Sequence, residues 1–117
     1  MTLPGVWPLR RVRVSGPSMA PALRHGDVLL VRRTRPGRVP PVGTVVVVAL
    51  PERPLAVKRL TRVEPDGRLW VEGDNPFGST DSRDLGALSP DALGARVVVR
   101  LWPRPGSVPV APGAGQR

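Results

Sequence analysis

The chain has 117 residues, enough for one domain, with 40% hydrophobic residues, a net charge of +9 and no cysteine. The missing cysteines exclude disulfides, thiol catalysis and cysteine-based metal sites, and a single histidine argues against zinc. The positive charge suits nucleic acid or a membrane surface, but the arginines are scattered and no aromatic platform accompanies them, so no nucleic-acid function is expected.

Residues 1–8 read as a proline-containing arm, with Trp7 placed to cap the core. Leu9 to Val14 is a first strand. It stops at Ser15-Gly16-Pro17, where Gly16 opens backbone angles closed to other residues and Pro17 stiffens the next step. Pro21 restricts Ala20, so Ser18 is held on a rigid bend. His25 reads as a turn residue and Gly26-Asp27 as the turn into a strand over Asp27 to Arg33, with Val28 to Val31 buried. Thr34 to Pro41 (TRPGRVPP) is a loop. Val42 to Leu50 does not alternate and reads as a strand buried on both faces.

Leu55 to Val63 alternates with period two. Ala56, Lys58 and Leu60 share one side, and Leu55, Val57 and Arg59 the other. Lys58 therefore has apolar neighbours. Desolvation lowers the pKa of a lysine, and a neutral amine can take a proton from a serine hydroxyl. A Ser-Lys pair is a known variant of serine-protease chemistry that needs neither His nor Asp. Leu69 to Glu72 is a further strand. Gly73 to Gly86 (GDNPFGSTDSRDLG) is a long polar loop whose acidic spacing does not fit an EF-hand. Leu88 to Leu93 fits one helical turn with Ser89 as cap and Pro90 first. Ala95 to Trp102 closes the sheet, and residues 103–117 read as a disordered tail. The fold expected is mainly β: a small, twisted, partly closed antiparallel sheet over residues 9–102. No metal or other cofactor is expected.

Three stretches in order, SGPSMAPALRHGDVLLV, AVKRL and GDNPFGSTDSRDLG, resemble the boxes of type I signal peptidases and their soluble Ser-Lys relatives. The resemblance implies Ser18 as nucleophile and Lys58 as general base. It implies Met19 lining the cleft, Ser79 orienting the lysine, and Asp81 and Arg83 as a supporting ion pair. Gly73, Asp74 and Asn75 would shape the loop behind the lysine. The Ser18 N–H would be one oxyanion donor. The side chain that supplies a second donor in some members is absent at Gly16, which leaves Ser15 as a weak substitute.

Only 17 residues precede Ser18, too few to span a bilayer. A minimal form of this kind is most similar to the nickel-type superoxide dismutase maturation proteases of high-GC bacteria. That similarity implies a cytoplasmic serine endopeptidase removing an N-terminal leader from a dismutase precursor. Two alternatives stand beside it: signal-peptidase-like processing at the membrane with a partner, and a non-catalytic basic binding module. The lysine box also resembles the self-cleaving repressor peptidases, but the third box is of the signal-peptidase kind.

Overall fold

The computed structural model describes residues 8–51 and 53–108. The expectations for residues 1–7, including Trp7, and for residues 109–117 lie outside them. Six strands form one antiparallel sheet: β1 (Leu9–Arg13), β2 (Val28–Arg33), β3 (Val45–Leu50), β4 (Arg53–Val63), β5 (Leu69–Glu72) and β6 (Leu93–Trp102). Their order is β1-β2-β6-β3-β4-β5. The chain is thus mainly β, as its Val/Leu runs between Pro/Gly clusters predict.

The valine run of β3 explains the shape of the core. Successive strand residues point to opposite faces. Val45 and Val47 join a cluster with Val14, Met19, Leu23, Leu29, Val31, Ala95 and Val97. Val46 and Val48 join a second with Leu50, Ala56, Leu60, Leu69 and Val71. Because β3 is covered on both sides, its sequence cannot alternate. β2 differs from expectation: Leu29 and Val31 are buried, while Val28 and Leu30 are only half-buried. β2 has a core on one face only.

Two local differences bear on the site. Within the polar loop, Ser82–Leu85 forms a helical turn, α1, capped by Asp81. The Asp81 side chain accepts the Arg83 N–H, and the Asp84 side chain accepts the Asp81 N–H, as in a capping box. Gly86, at φ 79°, closes the turn. A 3₁₀ turn over Pro90–Ala92 with Ser89 as cap matches the sequence reading. The expected tail, in contrast, begins ordered: Gly106 and Arg100 exchange backbone hydrogen bonds of 3.0 and 2.8 Å, and Val108 packs on the first cluster.

Candidate active site

The Ser18 bend lies between β1 and β2. Val14 N–H donates to the Asp27 carbonyl at 2.8 Å and Gly26 N–H to the Val14 carbonyl at 2.9 Å, so the segment starts and ends at one point. Gly16 (φ 85°) reverses the chain, and its N–H donates to His25 Nδ1 at 2.9 Å. His25 is therefore a turn residue that secures the bend. Leu23 N–H donates to the Met19 carbonyl at 2.9 Å, and both side chains are fully buried. This corrects the expected role of Met19: it anchors the bend in the core and does not line the cleft. Met19 packs in the core while Ser18, next to it in the chain, borders the cavities.

Lys58 stands on β4 opposite Val46 and is 2% exposed. Its Nζ donates to Ser79 Oγ at 2.9 Å. Ser79 Oγ donates in turn to Asp81 Oδ2 at 2.6 Å. Asp81 is fully buried and also accepts the Gly73 N–H at 2.8 Å and the Arg83 guanidinium at 2.6 and 3.0 Å. Arg83 further donates to the Gly73 carbonyl at 3.0 Å. A Cβ at Gly73 would collide with the Ser79 side chain and the Ser18 carbonyl oxygen, so only glycine fits between them.

Two protonation states follow. Burial pushes the Lys58 amine below its ordinary 10.5; Asp81 opposes this shift, while Arg53 and Arg83 add to it. For Asp81, burial alone would raise the pKa. Hydrogen bonds from Arg83, Ser79 and Gly73 outweigh burial and hold the carboxyl well below the usual carboxylate range. Asp81 thus stays an acceptor, which keeps the Ser79 hydroxyl pointed at it and the Ser79 lone pairs toward Lys58.

The loop is tied to the bend as well. Asn75 N–H donates to the Ser18 carbonyl at 2.9 Å and Asn75 Nδ2 to the Pro17 carbonyl at 3.3 Å. Asp74 is held by Arg59, whose Nε and Nη2 donate at 2.9 and 2.6 Å, and Arg59 also reaches the Gly43 carbonyl at 2.8 Å. Arg59 is 1% exposed and Asp74 7%. The role of Arg59 is not evident from the boxes alone. The signal available was its place on the Leu55/Val57 face, where a buried guanidinium requires a carboxylate. Asp74 and Asp81, the obvious oxygen ligands for a cation, are thereby each occupied by an arginine.

Ser18 and Lys58 both line two adjoining cavities. One, of about 630 Å³, is bounded by Leu50, Pro51, Arg53, Phe77, Ser79 and Leu85 among others. The other, of about 240 Å³, is bounded by Arg13, Ser15, Arg53, Leu55 and Val57. Ser15 therefore faces the same space as Ser18, and Gly16 brings no side chain to it. Arg53, absent from the boxes, lines both. The Lys58 amine hydrogen-bonds Ser79 and not Ser18 here; free sites are often looser than occupied ones.

Comparison with known proteins decides the family. Residues 8–85 match the Peptidase S24-like family. The chain belongs to that family. It is a serine-type peptidase of the signal-peptidase-like Ser/Lys kind, and the reading as a non-catalytic binding module falls away. The chain is 32% identical over 116 residues to the mitochondrial ATP-independent inner membrane protease subunit 1a of Arabidopsis thaliana, covering 77% of this chain and 68% of that protein. It is 33% identical over 112 residues to the mitochondrial inner membrane protease subunit 1 of Xenopus tropicalis, covering 76% and 66%. It is 36% identical over 80 residues to subunit 2 of the same protease from Schizosaccharomyces pombe, covering 52% and 44%. The chain thus spans about two thirds of the first two relatives.

These names correct two expectations. The relatives are subunits of inner membrane proteases, which overturns the cytoplasmic location. They are not dismutase maturation proteases, so the narrower substrate expectation finds no support among them. No helix among the described residues is long and apolar enough to cross a membrane.

Proposed function

We propose that the chain is an endopeptidase in which Ser18 is the nucleophile and Lys58 the general base, and that it removes N-terminal leaders from precursor proteins at a membrane, working with a partner subunit. One observation carries the dyad: a lysine whose ammonium is disfavoured by burial borders both cavities that Ser18 borders. The membrane setting and the partner rest on the relatives' names, which describe subunits of inner membrane proteases.

In the reaction, neutral Lys58 accepts the Ser18 hydroxyl proton as the oxygen attacks a peptide carbonyl. Ser79 holds one N–H of the amine, which leaves its lone pair free for Ser18. The tetrahedral oxyanion takes the Ser18 N–H as donor, with the Ser15 hydroxyl as the candidate second donor. Lys58 then protonates the leaving amine, and an acyl-enzyme remains on Ser18. Water attacks it, giving its proton to Lys58, and the new acid leaves as Ser18 recovers its hydroxyl. The narrow cavity between residues 13–15 and β4 suits an extended peptide pairing with backbone and bearing small side chains at the cut. Gly73, Asp74, Asn75, Asp81 and Arg83 are positioning residues in this scheme, and residues 9–102 are the peptidase domain.

The test is a cleavage assay read by mass spectrometry. Leader-bearing precursors of membrane-sorted proteins and a leader-bearing nickel-type dismutase precursor are offered side by side, with Ser18→Ala and Lys58→Ala as controls. A single cut after the leader of the membrane-sorted precursor, lost in both variants, is the expected result. A cut confined to the dismutase precursor would overturn the substrate class, and cutting that survives Lys58→Ala would overturn the dyad.

A further inference from the structure

A cavity remote from Ser18 gathers arginines. It measures about 900 Å³ and is lined by Arg32, Arg33, Arg35, Arg38 and Arg96 with Val39 among their neighbours. The backbone forces these arginines together. Arg32 and Arg96 are direct partners across the β2–β6 ladder, so their side chains leave the sheet on one face. Arg35-Pro36-Gly37-Arg38 is a reverse turn: Arg38 N–H donates to the Arg35 carbonyl at 3.0 Å, and Gly37 has φ 76°. Proline at the second place and a positive-φ glycine at the third make it a type II turn, which sets Arg35 and Arg38 about 7 Å apart or less at Cα.

Like charges directly opposite on a ladder are destabilising. Among the described residues no acidic residue lines the cavity, and residues 28–51 contain none. Among the described residues, Arg32, Arg35, Arg38 and Arg96 have no carboxylate partner. Elsewhere Arg59, Arg62, Arg68, Arg83 and Arg100 each meet one. Arg32, Arg35, Arg38 and Arg96, gathered without a carboxylate partner among the described residues, suit phosphate oxygens, which guanidinium binds through paired N–H donors.

The surroundings favour one source of phosphate. Val39, in the cavity lining, is 41% exposed, and Val42, next in the chain after the lining residue Pro41, is 52% exposed. Apolar tips between cations suit the boundary of headgroups and acyl chains. Among the described residues the lining carries guanidiniums and aliphatic side chains and no aromatic ring on which a base could stack. The position also fits. Arg32 pairs with Leu9 at the start of β1, whereas the Ser18 bend follows Arg13 at its far end, where Arg13 pairs with Val28. A bilayer against the arginines leaves the Ser18 cleft open.

We propose that the arginine-lined cavity binds the phosphates of an anionic lipid surface and docks the chain on the membrane. The proposal goes beyond the cleavage reading and is tested without cutting any peptide, so either can fail alone. Full-length protein is sedimented with neutral phosphatidylcholine vesicles and with vesicles containing phosphatidylglycerol. Binding to the anionic vesicles is expected to be at least about tenfold tighter than to neutral ones, and weaker in raised salt. Arg35→Glu with Arg38→Glu should lose about tenfold or more, while the charge-matched Arg68→Glu with Arg104→Glu changes less than about threefold. Circular dichroism and thermal midpoints establish that each variant folds. Equal loss in both double variants would reduce the effect to diffuse net charge and overturn the site, as would equal binding to both vesicles. Capture of inorganic phosphate or duplex DNA in preference to anionic vesicles would overturn the lipid. An independent reading uses no lipid: Arg96→Gln should raise the thermal midpoint at low salt, and a lowered midpoint would contradict the like-charge premise.

Discussion

At one end of the molecule Arg59 and Arg83 are locked onto Asp74 and Asp81; at the other Arg32 pairs with Arg96 across the ladder, and Arg35 and Arg38 close one turn. The difference begins in the sequence. Seven of the nine acidic residues fall between Glu64 and Asp91, and none lies between residues 28 and 51. Where carboxylates are supplied, guanidiniums become internal braces that hold Gly73 to Asn75 against the Ser18 bend. Where they are withheld, Arg32, Arg35 and Arg38 meet no carboxylate among the described residues and remain available to something outside the chain. An arginine count alone, such as the +9 net charge, cannot make this distinction. Partners can.

The comparison breaks first at the dyad that the braces serve. Ser18→Ala and Lys58→Ala should each lower kcat by about 10³-fold or more, with folding intact, as measured by peptide cleavage and circular dichroism. The braces themselves come next. Asp74→Asn leaves Arg59 charged, buried and poorly matched, and should cost about 3–5 kcal/mol in urea unfolding. Arg35→Gln, at the unbraced end, should change stability by less than about 0.5 kcal/mol. Equal effects at the two sites would erase the contrast. Ser79→Ala removes the hydroxyl that fixes the Lys58 amine, and should lower kcat by about tenfold to a hundredfold with KM little changed. A smaller loss than at Asp74 is expected of His25→Ala, which removes the acceptor for Gly16 N–H and should cost about 1 kcal/mol of stability.

Lys58 also leaves a mark on stability. Its folded pKa lies below the unfolded 10.5, so between those values the unfolded chain holds a proton that the folded chain has shed. Stability therefore rises with pH through that window. Lys58→Met should abolish the rise and be more stable than the wild type at neutral pH, as read from thermal midpoints across pH. A Lys58→Met variant less stable than the wild type at neutral pH would mean that the ammonium is well solvated after all.

The strands are legible in the sequence because their signals are local. The non-alternating valines of β3 report two covered faces, and the period of β4 puts Lys58 beside Ala56 and Leu60. The Lys58–Ser79–Asp81–Arg83 chain is anticipated only through the resemblance of three boxes, since hydrogen bonds across 21 residues have no local signature. Asp81 to Asp84 carries a capping pattern, but the four helical residues of α1 are too few to give a hydrophobic period. Met19 departs from expectation because adjacency to Ser18 in sequence is not adjacency in the cleft: Met19 packs in the core. The order of residues 103–108 rests on pairing between Arg100 and Gly106, which the proline-rich composition hides. The arginine cavity depends on a cross-strand register that the sequence alone does not reveal.

The central claim is that buried Lys58, oriented by Ser79, is the base for Ser18. The most direct measurement is the pH dependence of kcat/KM for a leader peptide, in the wild type and in Ser79→Ala. The account predicts a rate that climbs with pH to a plateau through one apparent pKa below 10.5, displaced in the variant. A rate that is flat from mildly acidic to alkaline pH, in both proteins, would contradict it.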